Sequence, residues 1–386
     1  MKLLCVTSCF PSKEKPFYCI FIYQQLKELM KLGVDVDVLV PDTTIIDSKV
    51  VEKFKELNVF RFKYTETKWY ENPLRKNKLF FENIKELLSL KKYNILQFDI
   101  IPYSILNIFN KLKTDSTIFS VHVHGLNIWG DFYASHISNL IHSLLKLKAF
   151  KKVDCFVGVS HLTSKIILKR IKNSRVYTVY NGVDPSIFYP INRQRKSIFT
   201  IGIVANLIKI KGHIYLLKAL KMYIEKSNND NIVLKIIGSG PEKNNIISLI
   251  NELGIQKNIT LIDCLNYEDV ARFLREECDM FIMPSFFESL GCVYLEAMAS
   301  RVLTVGVKGC GIDEIIVNKT NGFLIRKQNV NDIYTAIDYA IKNEEICKKI
   351  ANNGYETVTK KYTWNESALN LFKIYQSELE KRNGKI

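Results

Sequence analysis

The amino-acid sequence has no opening segment that suits a membrane span or a signal peptide. MKLLCVTSCFPS carries one Lys and roughly eight mostly apolar residues before Pro11, and it reads as a first β-strand. No stretch has the biased composition of a low-complexity or disordered tract. Cysteine occurs nine times, an odd number, without a C-x-x-C pair or a nearby histidine cluster. That scatter argues against a disulfide framework and a zinc site, and a reducing cytoplasm is the expected setting. No G-x-G-x-x-G follows the first strand, which argues against a nicotinamide dehydrogenase. Acidic residues are in short supply, with 39 Asp and Glu facing 55 Lys and Arg for a net charge of +16.

At 386 residues, 47% hydrophobic and 24% charged, the chain is long enough for two globular domains with full cores. The basic excess lies mostly in the first half, with 28 Lys and Arg against 17 Asp and Glu up to Pro190. Two stretches concentrate it, one of 32 residues from Arg61 with interleaved aromatics, and LIHSLLKLKAFKK from Leu140. In the second, Leu140, Leu144, Leu147 and Phe150 recur at helical spacing while Lys146, Lys148, Lys151 and Lys152 lie off that stripe. Such a helix suits the surface of an anionic bilayer on the cytoplasmic side, and equally a core position with solvated lysines. A basic balance also suits nucleic acid, but no recognised nucleic-acid motif is present and none is expected as a partner.

Strand patterns near residues 2–10, 34–40, 95–98 and 118–122 alternate with helix-length segments, the first of them at 19–32, which implies parallel βαβ units. Asn181-Gly182-Val183-Asp184 breaks the pattern. A second series then runs strand, helix, strand from Ser197, with helices from His213, from Glu242 and near Glu268. Both series have the doubly wound pattern.

The densest stretch is Met283 to Val307, MPSFFESLGCVYLEAMASRVLTVGV. Its flanks read as short buried strands and its middle as a helix entered through Glu288-Ser289-Leu290-Gly291, with Glu296 about two turns in. Eight residues at about 100° each leave the two acids roughly 80° apart, so they suit two parts of one ligand better than one metal. Free peptide N–H groups of Ser289 to Cys292 at the helix start would hold an anion between them. A sugar nucleotide has that pattern of hydroxyls around phosphate. The spacing also fits a solvated Glu288 and an ordinary amphipathic helix.

Glu288 and Glu296 in PSFFESLGCVYLEAMA resemble the E-x7-E motif of the retaining glycosyltransferases of family 4. Further matches follow in order along nearly the whole chain. The resemblance implies a GT-B fold of two Rossmann-like doubly wound α/β domains facing a deep cleft. They would be an acceptor-side domain at 1–184 and a nucleotide-sugar domain at 185–366, with a last helix at 367–386 crossing back to the first. It implies transfer of a hexose from a nucleotide diphosphate sugar, with no cofactor and no metal. Glu288 would bind donor sugar hydroxyls and Glu296 the ribose. Lys211, with Gly212, is similar to the element whose basic residues grip the diphosphate; Asn206 stands at that element's Arg position, and Lys209 is a nearby substitute charge. Gly238 and Gly240 in GSGP would border the nucleotide, and Ser289, Leu290 and Gly291 the phosphate. His124, before Gly125, resembles the H-G element set against the sugar, although His122 shares its side of the strand. Cys19 stands where the family commonly has glycine. The acceptor would be a glycan or lipid-linked precursor of a cell-surface polysaccharide. A sugar-nucleotide epimerase and a catalytically lapsed sugar-nucleotide binder are the alternatives.

Overall fold

In the computed structural model the described residues are 1–64, 73–100, 112, 116–125, 150–193 and 197–384. They divide into two compact units, Met1–Tyr180 with Trp364–Ile386, and Asn181–Thr363. The first boundary thus falls a few residues before the one expected from the Asn-Gly turn. The terminal helix belongs with the first unit from Trp364 onward.

The first unit contains β1 (Lys2–Thr7), α1 (Ile20–Lys31), β2 (Asp35–Asp42), β3 (Lys49–Phe54), β4 (Leu57–Lys63) and α2 (Pro73–Leu90). It continues with β5 (Ile95–Asp99), β6 (Ile118–Val123), β7 (Cys155–Gly158), α3 (His161–Arg170) and β8 (Val176–Thr178). The sheet order is β3-β4-β2-β1-β5-β6-β7-β8, so the winding reverses between β1 and β5. All registers are parallel except the β3–β4 hairpin, which sequence reading did not anticipate. Its turn, Lys55-Glu56, has neither Asn-Gly nor Gly, and Lys55 takes φ 55 without help from its residue type. Alternation along β1 splits the core: Leu4 and Val6 pack with Phe98 and Phe119 on one face, Leu3 and Cys5 with Val36 and Ile95 on the other.

The second unit contains β9 (Phe199–Val204), α4 (His213–Ser227), β10 (Ile232–Ile237), α5 (Lys243–Leu253), β11 (Ile259–Ile262), α6 (Tyr267–Glu276) and β12 (Met280–Ile282). After it come α7 (Cys292–Ala299), β13 (Leu303–Val307), β14 (Phe323–Ile325), α8 (Val330–Lys342) and α9 (Glu344–Lys361). The six strands are parallel in the order β11-β10-β9-β12-β13-β14, which puts the reversal between β9 and β12.

The last helix, α10 (Trp364–Asn383), lies on the first unit's sheet and packs along α1. Ala368, Leu371 and Tyr375 are fully buried in that core, and Gln25 Nε2 donates to Ser367 Oγ at 3.0 Å. No helix among the described residues is long and apolar enough to cross a membrane. Most of the lysine-bearing stretch from Leu140 lies outside the described residues.

One expectation is overturned near the amino terminus. Cys9 and Cys19 form a disulfide, with Cα atoms 6.0 Å apart. Their ten-residue separation carried no sequence signal, because the first βα loop brings them together by folding back on itself. Cys19 has φ 53, in the left-handed region that glycine adopts freely.

Candidate active site

In open α/β sheets ligands settle outside the carboxyl ends of the strands, where the winding reverses. In the second unit that place is between β9 and β12, and the loops leaving these two strands carry Lys211 and Glu288. Lys211 ends a short 3-10 turn, Lys209–Lys211. Gly212 follows with φ 73, and a Cβ there would meet the Pro284 carbonyl oxygen at 2.3 Å. Glycine therefore lets the β9 loop lie directly against the β12 loop. Phe286 N–H donates to the Ile210 carbonyl at 3.1 Å and fastens the same contact.

Lys211 Nζ is ion-paired with Glu288 Oε2, both side chains being mostly buried. The Glu288 loop is fixed from two sides. Gly311 N–H donates to the Glu288 carbonyl at 2.9 Å, and the buried Tyr294 hydroxyl donates to the Met283 carbonyl while its ring meets Phe281 edge-on. The β10 loop joins the cluster, with Leu207 N–H donating to the Ser239 carbonyl at 2.8 Å. A Cβ on Gly238 or Gly240 would strike the carbonyl oxygens of Ala205 or Leu207, so these two glycines serve loop packing. Asn206 and Lys209 are exposed on the β9 loop.

Two details differ from the sequence reading. Helix α7 begins at Cys292 behind Gly291, with φ 80, so Ser289 and Leu290 are buried in the turn ahead of the helix and Glu296 lies little more than one turn in. The two acids are also not alike. Glu296 is 9% exposed, and burial pushes its carboxyl up to about 8, whereas Glu288 is held as an ion pair. Asn181 Nδ2 reaches Cys292 Sγ at 3.3 Å, and burial followed by the nearby Glu296 pushes that thiol up to about 12, so it is no nucleophile.

The first unit gathers a second cluster beside its own reversal point. Asp99 ends β5, and His122 and His124 are at the end of β6 and just past it. His124 Nε2 is 2.6 Å from Asp99 Oδ1, and His122 Nδ1 is 3.5 Å from the same oxygen. His122 Nε2 meets the Tyr375 hydroxyl at 2.9 Å, so the two histidines are not equivalent. Phe21 of α1 packs on the His124 ring, with centroids 4.8 Å apart. Burial pushes His122 down to about 4 despite Asp99. Burial of Asp99 opposes its charge, but the histidines and Gln97 outweigh that and hold it at about 2.

Asp99, His122 and His124 are also the kinds of residue that bind metal, with ligand atoms within 4.8 Å of one another. The 2.6 Å contact is a hydrogen bond, shorter than the roughly 3.3 Å between two ligands of one tetrahedral zinc ion. Asp99, Gln97 and Tyr375 were absent from the sequence reading, because a strand end, its neighbour and a distant helix have no shared spacing. The sequence reading also found no Asp-x-Asp motif, but Asp35-x-Asp37 in β2 is such a pair. Its Asp37 carboxylate is taken up by Lys91 at 2.6 Å, Tyr93 at 2.7 Å and Asn58 at 3.1 Å.

Residues 20–187 match the family described as Glycosyltransferase Family 4, and residues 190–357 the one described as Glycosyl transferases group 1. One uncharacterised glycosyltransferase of Methanocaldococcus jannaschii is 28% identical over 58% of this chain and 59% of its own length. Another from that organism is 23% identical over 98% of this chain and 99% of its own. The solved structure of Anabaena HepE in complex with UDP and glucose is similar with a TM-score of 0.75 and 15% identity, over 98% of this chain and 100% of that one. That likeness shows the fold, GT-B, with a parallel-sheet α/β core in each unit.

Proposed function

Since the chain belongs to the group 1 glycosyltransferases, with a family 4 amino-terminal domain, we propose that it transfers a hexose from a nucleotide diphosphate sugar with retention of configuration. The observation that carries this reading is the Lys211–Glu288 ion pair at the winding reversal of the second sheet. An ammonium beside that reversal suits a diphosphate, which gains charge as the glycosidic bond breaks. Glu288, freed from Lys211 by the incoming phosphate, takes the sugar hydroxyls. Glu296 takes the ribose diol, giving up its proton as the diol's two O–H groups donate to it. The Gly291-to-Val293 backbone at the start of α7 adds N–H groups toward the phosphate. Lys211 and these dipoles supply the positive charge that a metal ion would otherwise bring, so the reading calls for neither metal nor cofactor. UDP is a reasonable first nucleotide to try, since HepE was solved with it.

The acceptor is a lipid-linked or cell-surface glycan precursor, a reading supported by the basic excess of residues 1–190, which suits the anionic inner face of a membrane. Asn206 at the place of a guanidinium favours a second reading, a protein that binds sugar nucleotides without transfer. One assay separates them: incubation with UDP-, GDP- and ADP-hexoses, with and without lipid extract, followed by measurement of nucleotide diphosphate release. Acceptor-dependent release supports transfer, and binding without release supports the second reading. Lys211→Ala with undiminished release would overturn the site assignment.

A further inference from the structure

With both histidines neutral, the hydrogen bonds around Asp99 allow only one arrangement of protons. The Tyr375 hydroxyl donates to Gln97 Oε1 at 2.9 Å, so toward His122 it accepts, and His122 carries its proton on Nε2. His122 Nδ1 is then a bare lone pair, 3.5 Å from Asp99 Oδ1 and donating no hydrogen bond to it. Gln97 Nε2 donates to Asp99 Oδ2 at 2.7 Å, and the Cys5 thiol points to the same oxygen at 3.3 Å. Oδ1 therefore has one donor left, His124 Nε2, at 2.6 Å. The proton of neutral His124 sits on Nε2, and its Nδ1 is an acceptor. That Nδ1 is buried and has no hydrogen-bond partner among the described residues.

A buried acceptor without a donor costs free energy unless a ligand supplies the missing proton. We propose that Asp99 is a positioning residue that fixes the His124 tautomer, so that Nδ1 accepts a hydrogen bond from a hydroxyl of the bound sugar. The sugar as ligand rests on the glycosyltransferase reading, whereas the tautomer does not. The surroundings keep the ring in place. Phe21 packs on it, and Ile100, directly after Asp99, holds a φ of 42 that a β-branched residue rarely adopts, with its carbonyl accepting from the Ser8 hydroxyl. Every part of this device comes from the first unit, and Tyr375 ties it to α10.

Histidine-selective 15N labelling of the full chain tests the tautomer directly, with the His124 signal identified by its loss in His124→Gln. The expected result is a protonated Nε2 and a pyridine-like Nδ1 in the wild type, turning mixed or inverted in Asp99→Asn. A wild-type Nδ1–H would overturn the proposal, and so would stoichiometric zinc uptake that abolishes the hydrogen-bonded signal. In transfer assays Asp99→Asn should lower kcat about tenfold, the worth of one hydrogen bond to a buried acceptor, with donor KM little changed. Added to His124→Ala it should lower kcat no further. An equal loss in both backgrounds would mean that Asp99 is merely structural. If the wild type transferred no sugar, the functional reading would fail while the labelling experiment still decided the tautomer.

Discussion

The two units hold their polar clusters in opposite ways. In the first, Tyr375, His122, Gln97, Asp99 and His124 form a network in which His124 Nδ1 has no hydrogen-bond partner among the described residues. In the second, Lys211 and Glu288 neutralise each other and Glu296 is kept protonated by burial. On the proposed reading, the first arrangement awaits a neutral hydroxyl, and the second is a charged latch that a phosphate would open, exchanging a protein ion pair for ligand contacts. Neutral recognition thus tolerates a closed, buried network, whereas binding of a diphosphate calls for charges with another place to go.

The largest expected effect breaks the latch. Lys211→Ala or Glu288→Gln should cut transfer at least about a hundredfold, the scale of losing one charge-stabilising group, with the melting temperature almost unmoved. Near-normal turnover would show that the ion pair is only structural. The reverse pattern is expected in the first unit. Tyr375→Phe leaves His122 Nε2 and Gln97 Oε1 unpartnered and should cost roughly 1–3 kcal/mol in urea unfolding.

A pH experiment sharpens the contrast. Burial raises Glu296 from 4.5 to about 8, so across that window the folded chain keeps a proton that the unfolded chain has lost. This contribution to stability is full below about pH 4.5 and declines toward pH 8, by at most about 1.4 kcal/mol per pH unit. Glu296→Gln should flatten that decline in denaturant titrations, and an unchanged slope would show that the acid is not buried in solution. At pH 7 donor binding should also release close to one proton, measurable by calorimetry in two buffers of different ionisation heat. The smallest effect is expected for Asn206→Arg, which restores a guanidinium on the β9 loop and should tighten UDP binding by about threefold to tenfold.

The alternation of strand and helix patterns made both doubly wound sheets legible, and the E-x7-E stretch led to the loop where Glu288 meets Lys211. These were readable because each element carries its own local signal. The β3–β4 hairpin was not, since Lys55-Glu56 forms its turn without a turn residue. The Asp99 network was hidden for a different reason, because it joins segments far apart in sequence, Tyr375 being 253 residues from His122. The Cys9–Cys19 disulfide closes a ten-residue loop that no cysteine spacing rule marks. Burial of Glu296 was also invisible, because its spacing from Glu288 says nothing about what covers it.

Calorimetric titration of the wild type and Lys211→Ala with UDP-, GDP- and ADP-glucose tests the heart of this account. The latch predicts that the wild type binds one of them and that the variant binds it at least about tenfold more weakly, as expected for a lost charge-assisted contact to phosphate. Equal affinity in both proteins, for whichever nucleotide binds, would contradict it.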